Sequence, residues 1–135
     1  MRSVLAWLAL LLVLSGCSGV VQERKGVKLT DVSERFCKAM RWGDYIGAGN
    51  FVREDLRQEF IDLFQQQEDL RISDSRIISI LPREGYTEAI YQMEYYYLSS
   101  MRLQKWQWRQ QWNYEQFDGL KFGLWMIGNL PSEFP

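Results

Sequence analysis

The 135-residue chain contains no histidine, which removes the side chain most used for acid–base work near neutral pH and the commonest metal ligand. Serine–histidine triads and histidine-based zinc sites are thereby excluded. Cysteine is nearly as scarce: Cys17 and Cys37 are the only two, too few for a disulfide scaffold. A charge excess is also missing. With 16 Lys and Arg against 17 Asp and Glu, nothing in the overall balance draws a polyanion. No apolar run reaches the ~20 residues needed to cross a bilayer; Val4–Leu14 extends only about 17 Å as a helix. What the chain does hold is apolar bulk, 47% hydrophobic and 15% aromatic residues, enough to fill a core and too much for a disordered protein.

The N-terminus carries the most explicit signal. Arg2 supplies a basic start, Val4–Leu14 an apolar stretch, and Leu14-Ser15-Gly16-Cys17 a small-residue cleavage site before a cysteine. This segment resembles the lipobox of bacterial lipoproteins. The resemblance implies that diacylglycerol alkylates the Cys17 thiol, that the chain is cut between Gly16 and Cys17, and that the new amine is acylated. More than one acyl chain on one residue gives stable anchoring, at ~0.8 kcal/mol per buried methylene. Residues 1–16 are thus read as a signal peptide, 17–28 as a flexible tether with Gly19 and Gly26, and 29–135 as one domain. Ser18 stands where an aspartate would favour inner-membrane retention, so the expected location is the outer membrane, facing the periplasm. Cys37 is then left without an intramolecular partner and is expected as a buried thiol, an intermolecular disulfide being the alternative.

Helical spacing opens the domain. Thr30 and Asp31 are candidate N-caps, Asp31 with Glu34 has capping-box spacing, and Val32, Phe36, Ala39 and Met40 recur on one face, predicting a helix over Asp31–Trp42 that Gly43 stops. Asp44 caps a short helix through Tyr45, Ile46 and Ala48. A third helix follows Glu54 and Asp55, with Leu56, Phe60, Leu63 and Phe64 as its apolar stripe.

From Leu70 the period changes to two. Arg71–Leu81, Tyr86–Ser99, Met101–Tyr114 and Leu120–Ile127 read as strands, with turns at Pro82–Gly85, Ser99-Ser100 and Phe117–Gly119. Alternation puts Ala89, Tyr91, Met93, Tyr95 and Tyr97 on one face of the second strand, opposite Glu94. It likewise separates Trp106, Trp108, Trp112 and Tyr114 from Lys105, Gln107, Arg109 and Gln111 on the third. The expected class is α+β, three N-terminal helices packed on a curved, mainly antiparallel four-stranded sheet.

That order, together with Trp42-Gly43-Asp44-Tyr45, Asp74-Ser75-Arg76-Ile77, Glu94-Tyr95-Tyr96-Tyr97 and Trp125-Met126-Ile127, resembles the nuclear transport factor 2-like superfamily. This is the cone-shaped α+β fold of ketosteroid isomerases and SnoaL-type cyclases. With the tail Pro131-Ser132-Glu133-Phe134-Pro135, the chain also looks like a group of proteobacterial lipoproteins. The resemblance implies a pocket between helices and sheet, which Tyr91, Tyr95, Tyr97, Trp106, Trp108 and Trp112 are placed to line or rim; filling the core is the other use of the same rings.

For an isomerase or dehydratase the resemblance implies a carboxylate base and a hydrogen-bond donor, for which Glu94 or Asp44 with Tyr95 or Tyr97 are the residues to test. Glu94 lies on the face opposite those tyrosines, and no catalytic residue, metal ligand or cofactor site is assigned. Lys105–Trp112 interleaves basic and aromatic residues, but a strand sends them to opposite faces, so nucleic acid is not an expected partner. The expectation is a non-enzymatic interaction or small-ligand-binding module. Its contacts are the membrane through lipid on Cys17 and either an envelope protein or a small apolar ligand; the alternative is a pocket enzyme using a carboxylate and a tyrosine.

Overall fold

The structure is a computed structural model that describes residues 28–119 and 122–135. The expected signal peptide, Cys17 and the expected tether up to residue 27 lie outside the described residues, as do Leu120 and Lys121 of the expected last strand. The chain folds as α+β, with three helices followed by a four-stranded antiparallel sheet.

Helix α1 spans Leu29–Arg41 and buries Val32, Phe36, Cys37 and Met40 on one side. It starts earlier than the capping box predicts: Lys28 is the N-cap and gives no side-chain cap, so Thr30 and Asp31 sit inside the first turn. Asp31 there and Lys38 and Arg41 in the last turn complement the helix dipole. The stop is as expected, since Gly43 has a φ of +69°, a left-handed conformation that glycine adopts without steric cost. Helix α2, Tyr45–Gly49, is capped by Asp44, whose Oδ1 accepts from the Gly47 amide at 2.8 Å. Helix α3, Glu54–Gln65, buries Phe60, Ile61 and Phe64.

Strands β1 (Leu70–Pro82), β2 (Thr87–Tyr97), β3 (Gln104–Glu115) and β4 (Leu124–Ile127) pair in chain order, as short connections dictate. Two register shifts interrupt β1, between Ile72 and Asp74 and between Ile77 and Ser79. Each lets one extra residue, Ser73 and Ile78, bulge out, and keeps Ile72, Ser75, Ile77 and Ile80 opposite the inward residues Tyr95, Met93, Tyr91 and Ala89 of β2. Strand β3 starts three residues later than predicted. Met101 takes a φ of 53° and its amide donates to the Tyr97 carbonyl at 2.8 Å, so the turn absorbs Met101–Leu103. Strand β4 is shorter than expected, with Phe122 and Gly123 ahead of it rather than in it.

The helices cover the inner face of the sheet. Phe36 is the hub: the rings of Phe51, Phe60, Tyr91, Trp108 and Trp112 surround it at centroid distances from 5.4 to 6.3 Å. Aromatic pairs at such distances each stabilise by about 0.5–1.5 kcal/mol beyond area burial.

The two edges of the sheet differ. At β4, Ile127 donates to the Phe51 carbonyl at 2.7 Å and accepts from the Arg53 amide at 2.9 Å, so the segment between α2 and α3 closes that edge. Beyond β4, the Asn129 side chain accepts from the Gln111 amide at 2.7 Å and donates to the Arg109 carbonyl at 2.9 Å, continuing the ladder along β3. Strand β1 is the opposite edge, and Pro82 at its end fits an edge position. The tail folds back: Phe134 packs on Phe64 at 5.0 Å and on Trp106 at 6.1 Å, and Trp106 Nε1 donates to the Glu133 carbonyl at 3.1 Å.

Candidate functional site

Helix α1 and strand β1 do not meet along their whole length, and between them lies a cleft of about 690 Å³. Thr30, Ser33, Glu34, Cys37, Lys38 and Arg41 line it from the helix, and Ser75–Ile80 from the strand. The helical residues recur at intervals of three and four, which places them on one face. Trp42, the helix C-cap, lines the same cleft and is 76% exposed.

Three buried side chains, Ser33, Cys37 and Ser75, give the cleft its polar depth. The Ser33 hydroxyl donates to the Thr30 carbonyl at 3.0 Å, and the Ser75 hydroxyl donates to Tyr91 Oη at 2.8 Å. Burial raises the Tyr91 phenol far above its ordinary value and keeps it protonated. Burial likewise pushes the Cys37 thiol up to about 11, against a smaller opposing pull from its hydrogen bond with Ser75. All these groups are therefore neutral at pH 7, and Cys37 is not a thiolate nucleophile.

The sign of the Cys37 effect fixes two expected results. Because the folded value lies above the ordinary 9.0, the stability gained by burying the thiol is complete below about pH 9 and is lost as pH rises through about 11. Alkylation of Cys37 by iodoacetamide at pH 8 is expected to run at least about a hundredfold slower than in urea-unfolded protein, on thiolate fraction alone. Equal rates would show that the thiol is exposed and ordinary.

A chain of charges ties the cleft to the outer face of the sheet. Asp74 is hydrogen-bonded to Arg41 of α1 and lies 3.5 Å from Arg76; Arg76 reaches Glu94 at 3.7 Å, and Glu94 reaches Lys105 at 3.6 Å. The arginines and the lysine are half or more exposed, so each pair contributes at most about 1 kcal/mol and serves mainly to set position. In the sequence, Ser73-Asp74-Ser75-Arg76 reads as a local turn or bulge with Arg76 placed to pair an acid such as Glu94 across the sheet; the bulge and the pair are both present. Lys38 makes no ion pair among the described residues, so the cationic groups at the cleft outnumber Glu34, its lining carboxylate.

The six aromatics singled out as pocket candidates are elsewhere. Tyr91, Tyr95, Trp108 and Trp112 are buried in the core, Tyr97 and Trp106 are half-buried, and none of the six lines the cleft. Tyr91, Trp106, Trp108 and Trp112 pack against Phe36, Phe60, Phe64 and Phe134, Tyr95 packs on Tyr97, and the tail covers Trp106 while Tyr97 Oη donates to the Pro135 carbonyl at 2.9 Å. The physical reason is volume: the helices and the tail bring enough rings of their own to fill the inner face.

Glu94 and Asp44 are not brought together with Tyr95 or Tyr97. Glu94 stands on the outer face between Arg76 and Lys105, and exposed Asp44 is occupied in capping α2. Tyr95 Oη donates to Gln104 Oε1 at 3.3 Å. Gln110, which alternation also sends inward, is fully buried; its Oε1 accepts from Trp112 Nε1 at 2.9 Å. Its Nε2, like Trp108 Nε1, has no acceptor among the described residues.

The cleft residues Thr30, Ser33, Lys38, Trp42 and Ser79 were not singled out from the sequence as binding residues. The readable signal was the polar stripe Thr30, Ser33, Glu34, Lys38 beside the apolar face of α1. Among the described residues no cluster of three Cys, Asp or Glu is placed to hold a metal ion, and no helix is long and apolar enough to cross a membrane. No family model matches the chain, and no curated protein matches it at significant similarity.

Proposed function

We propose that this protein is a lipid-anchored, non-enzymatic binding module of the bacterial envelope. Cys17 holds it at the outer membrane facing the periplasm, and the cleft between α1 and β1 takes up an envelope protein or a small ligand. The observation that carries this reading is the chemistry of the cleft: apolar walls from Ile77 and Ile80, a neutral polar floor from Ser33, Cys37 and Ser75, and a cationic rim. Such a combination orients and holds a partner. The order of helices and strands supports a cone-shaped arrangement of the nuclear transport factor 2-like kind. In this chain aromatic rings fill the interior of that cone, and binding moves to its edge.

A photo-crosslinking residue placed at position 38 of the full-length protein in intact cells tests the role. A discrete adduct is expected from position 38 and none from position 107, which is exposed on the outer face of the sheet. No adduct at 38, or equal adducts at both positions, would overturn it.

A further inference from the structure

The strand residues that line the cleft are six in succession, Ser75 to Ile80. Successive residues of a strand point to opposite faces. A cleft lying over one face would touch alternate residues; this one touches inward Ser75, Ile77 and Ile80 together with outward Arg76 and Ser79. It therefore runs along the edge of β1, beside the backbone groups that β2 does not use. No strand pairs with that edge among the described residues, whereas the far edge of the sheet is closed by Phe51–Arg53.

The opposite wall matches in length. From Thr30 to Arg41 the helix rises about 17 Å at ~1.5 Å per residue, and from Ser75 to Ile80 a strand covers about 17 Å at ~3.3 Å per residue. Two walls of that length enclose an extended segment of about five residues. The bulge at Ile78 limits what fits. A long flat partner, such as the same strand of a second copy, would lose register there and again at Ser73, because bulges twist an edge away from continuous pairing, whereas a short peptide along Ser75–Ile80 crosses only the bulge at Ile78. The charge selects further: Lys38, Arg41 and Arg76 face the cleft against Glu34, and Arg41 and Arg76 already share Asp74, which leaves Lys38 to an incoming acid. Exposed Trp42 and Ile78 at the same cleft offer apolar surface, 76% and 47% exposed.

We propose that the cleft receives a short extended peptide bearing acidic and aliphatic side chains, which joins the sheet as an added strand on the edge of β1 and packs against α1. This rests on the binding role proposed for the cleft and specifies its ligand. Main-chain hydrogen bonds to the edge supply affinity, and alternate side chains of the peptide meet Lys38 on one side and Trp42 or Ile78 on the other.

The test uses the full-length protein in detergent micelles and a displayed library of random seven-residue peptides. Enriched peptides are expected to carry Asp or Glu among Val, Ile and Leu, and to be resynthesised with every second amide N-methylated, in both alternating sets. One set should weaken binding at least about tenfold, since only alternate amides reach the edge, while the other stays within about twofold. Lys38→Glu, an exposed site on α1, should also weaken binding about tenfold. The proposal is overturned if no peptide is enriched, if both methylated sets behave alike, if Lys38→Glu changes nothing, or if sedimentation shows dimers formed through β1 instead. An adduct from position 38 in cells, with the peptide test failing, would keep the binding role and remove only this ligand.

Discussion

Cells producing Cys17→Ala protein are expected to incorporate no labelled palmitate into it, and the protein should keep its leader, 16 residues longer than the processed form. The thioether that the lipobox resemblance implies needs a thiol, and alanine provides none. The consequence is all or none because anchoring is cumulative: each methylene contributes ~0.8 kcal/mol, so two or three acyl chains hold the protein firmly where a single side chain does not. Among the described residues no helix is long and apolar enough to span a bilayer. Undiminished labelling of Cys17→Ala would remove the anchor from the account. A Cys37→Ala protein serves as the control and should label normally, since that thiol is buried.

Trp112→Ala is expected to destabilise the domain by about 3–5 kcal/mol in urea unfolding, the range for deleting a large buried aromatic. Trp112 is fully buried, packs edge-on against Phe36 at 6.2 Å, and pairs with Thr87 on one side and Ile127 on the other, where the α2–α3 segment closes the sheet. Its Nε1 also donates to Gln110, so the substitution leaves that buried amide without its partner. Against a typical total of about 5–15 kcal/mol the loss is large. A change below about 1 kcal/mol would show that the ring is not part of a packed interior. Trp125→Ala should cost less, because Trp125 is only half-buried, against Tyr114 at 5.3 Å.

The helices were legible because apolar residues three and four apart have one explanation in a short chain, as Phe36 and Met40 or Phe60 and Phe64 illustrate. Strand alternation likewise identified the faces of β2 and β3, including the separation of Glu94 from the tyrosines. It does not say whether an inward face is open or filled. That outcome depends on Phe36, Phe60, Phe64 and Phe134, which reach the sheet from separate elements and the tail.

The bulge at Ile78 was invisible for a related reason, whereas Ser73-Asp74-Ser75-Arg76 did read as a local turn or bulge. A run such as Ile72–Leu81 supports more than one alternation, and pairing with β2 decides among them. The cleft follows from those bulges and from the seat of α1, so its residues carry no spacing signal across residues 43–74, which separate its two walls in the sequence. The resemblance to a lipobox is the converse case, a short contiguous pattern read without any fold.

The proposed binding site is the edge between α1 and β1 and not the aromatic interior. Amide chemical-shift mapping on full-length protein in micelles, titrated with a mixture of small aliphatic acids and aromatic fragments, tests it most directly. Shifts are expected at Thr30, Ser33, Lys38 and Ser75–Ile80, with Tyr95, Trp106 and Trp108 unmoved. Shifts confined to Tyr95, Trp106 and Trp108 would contradict it.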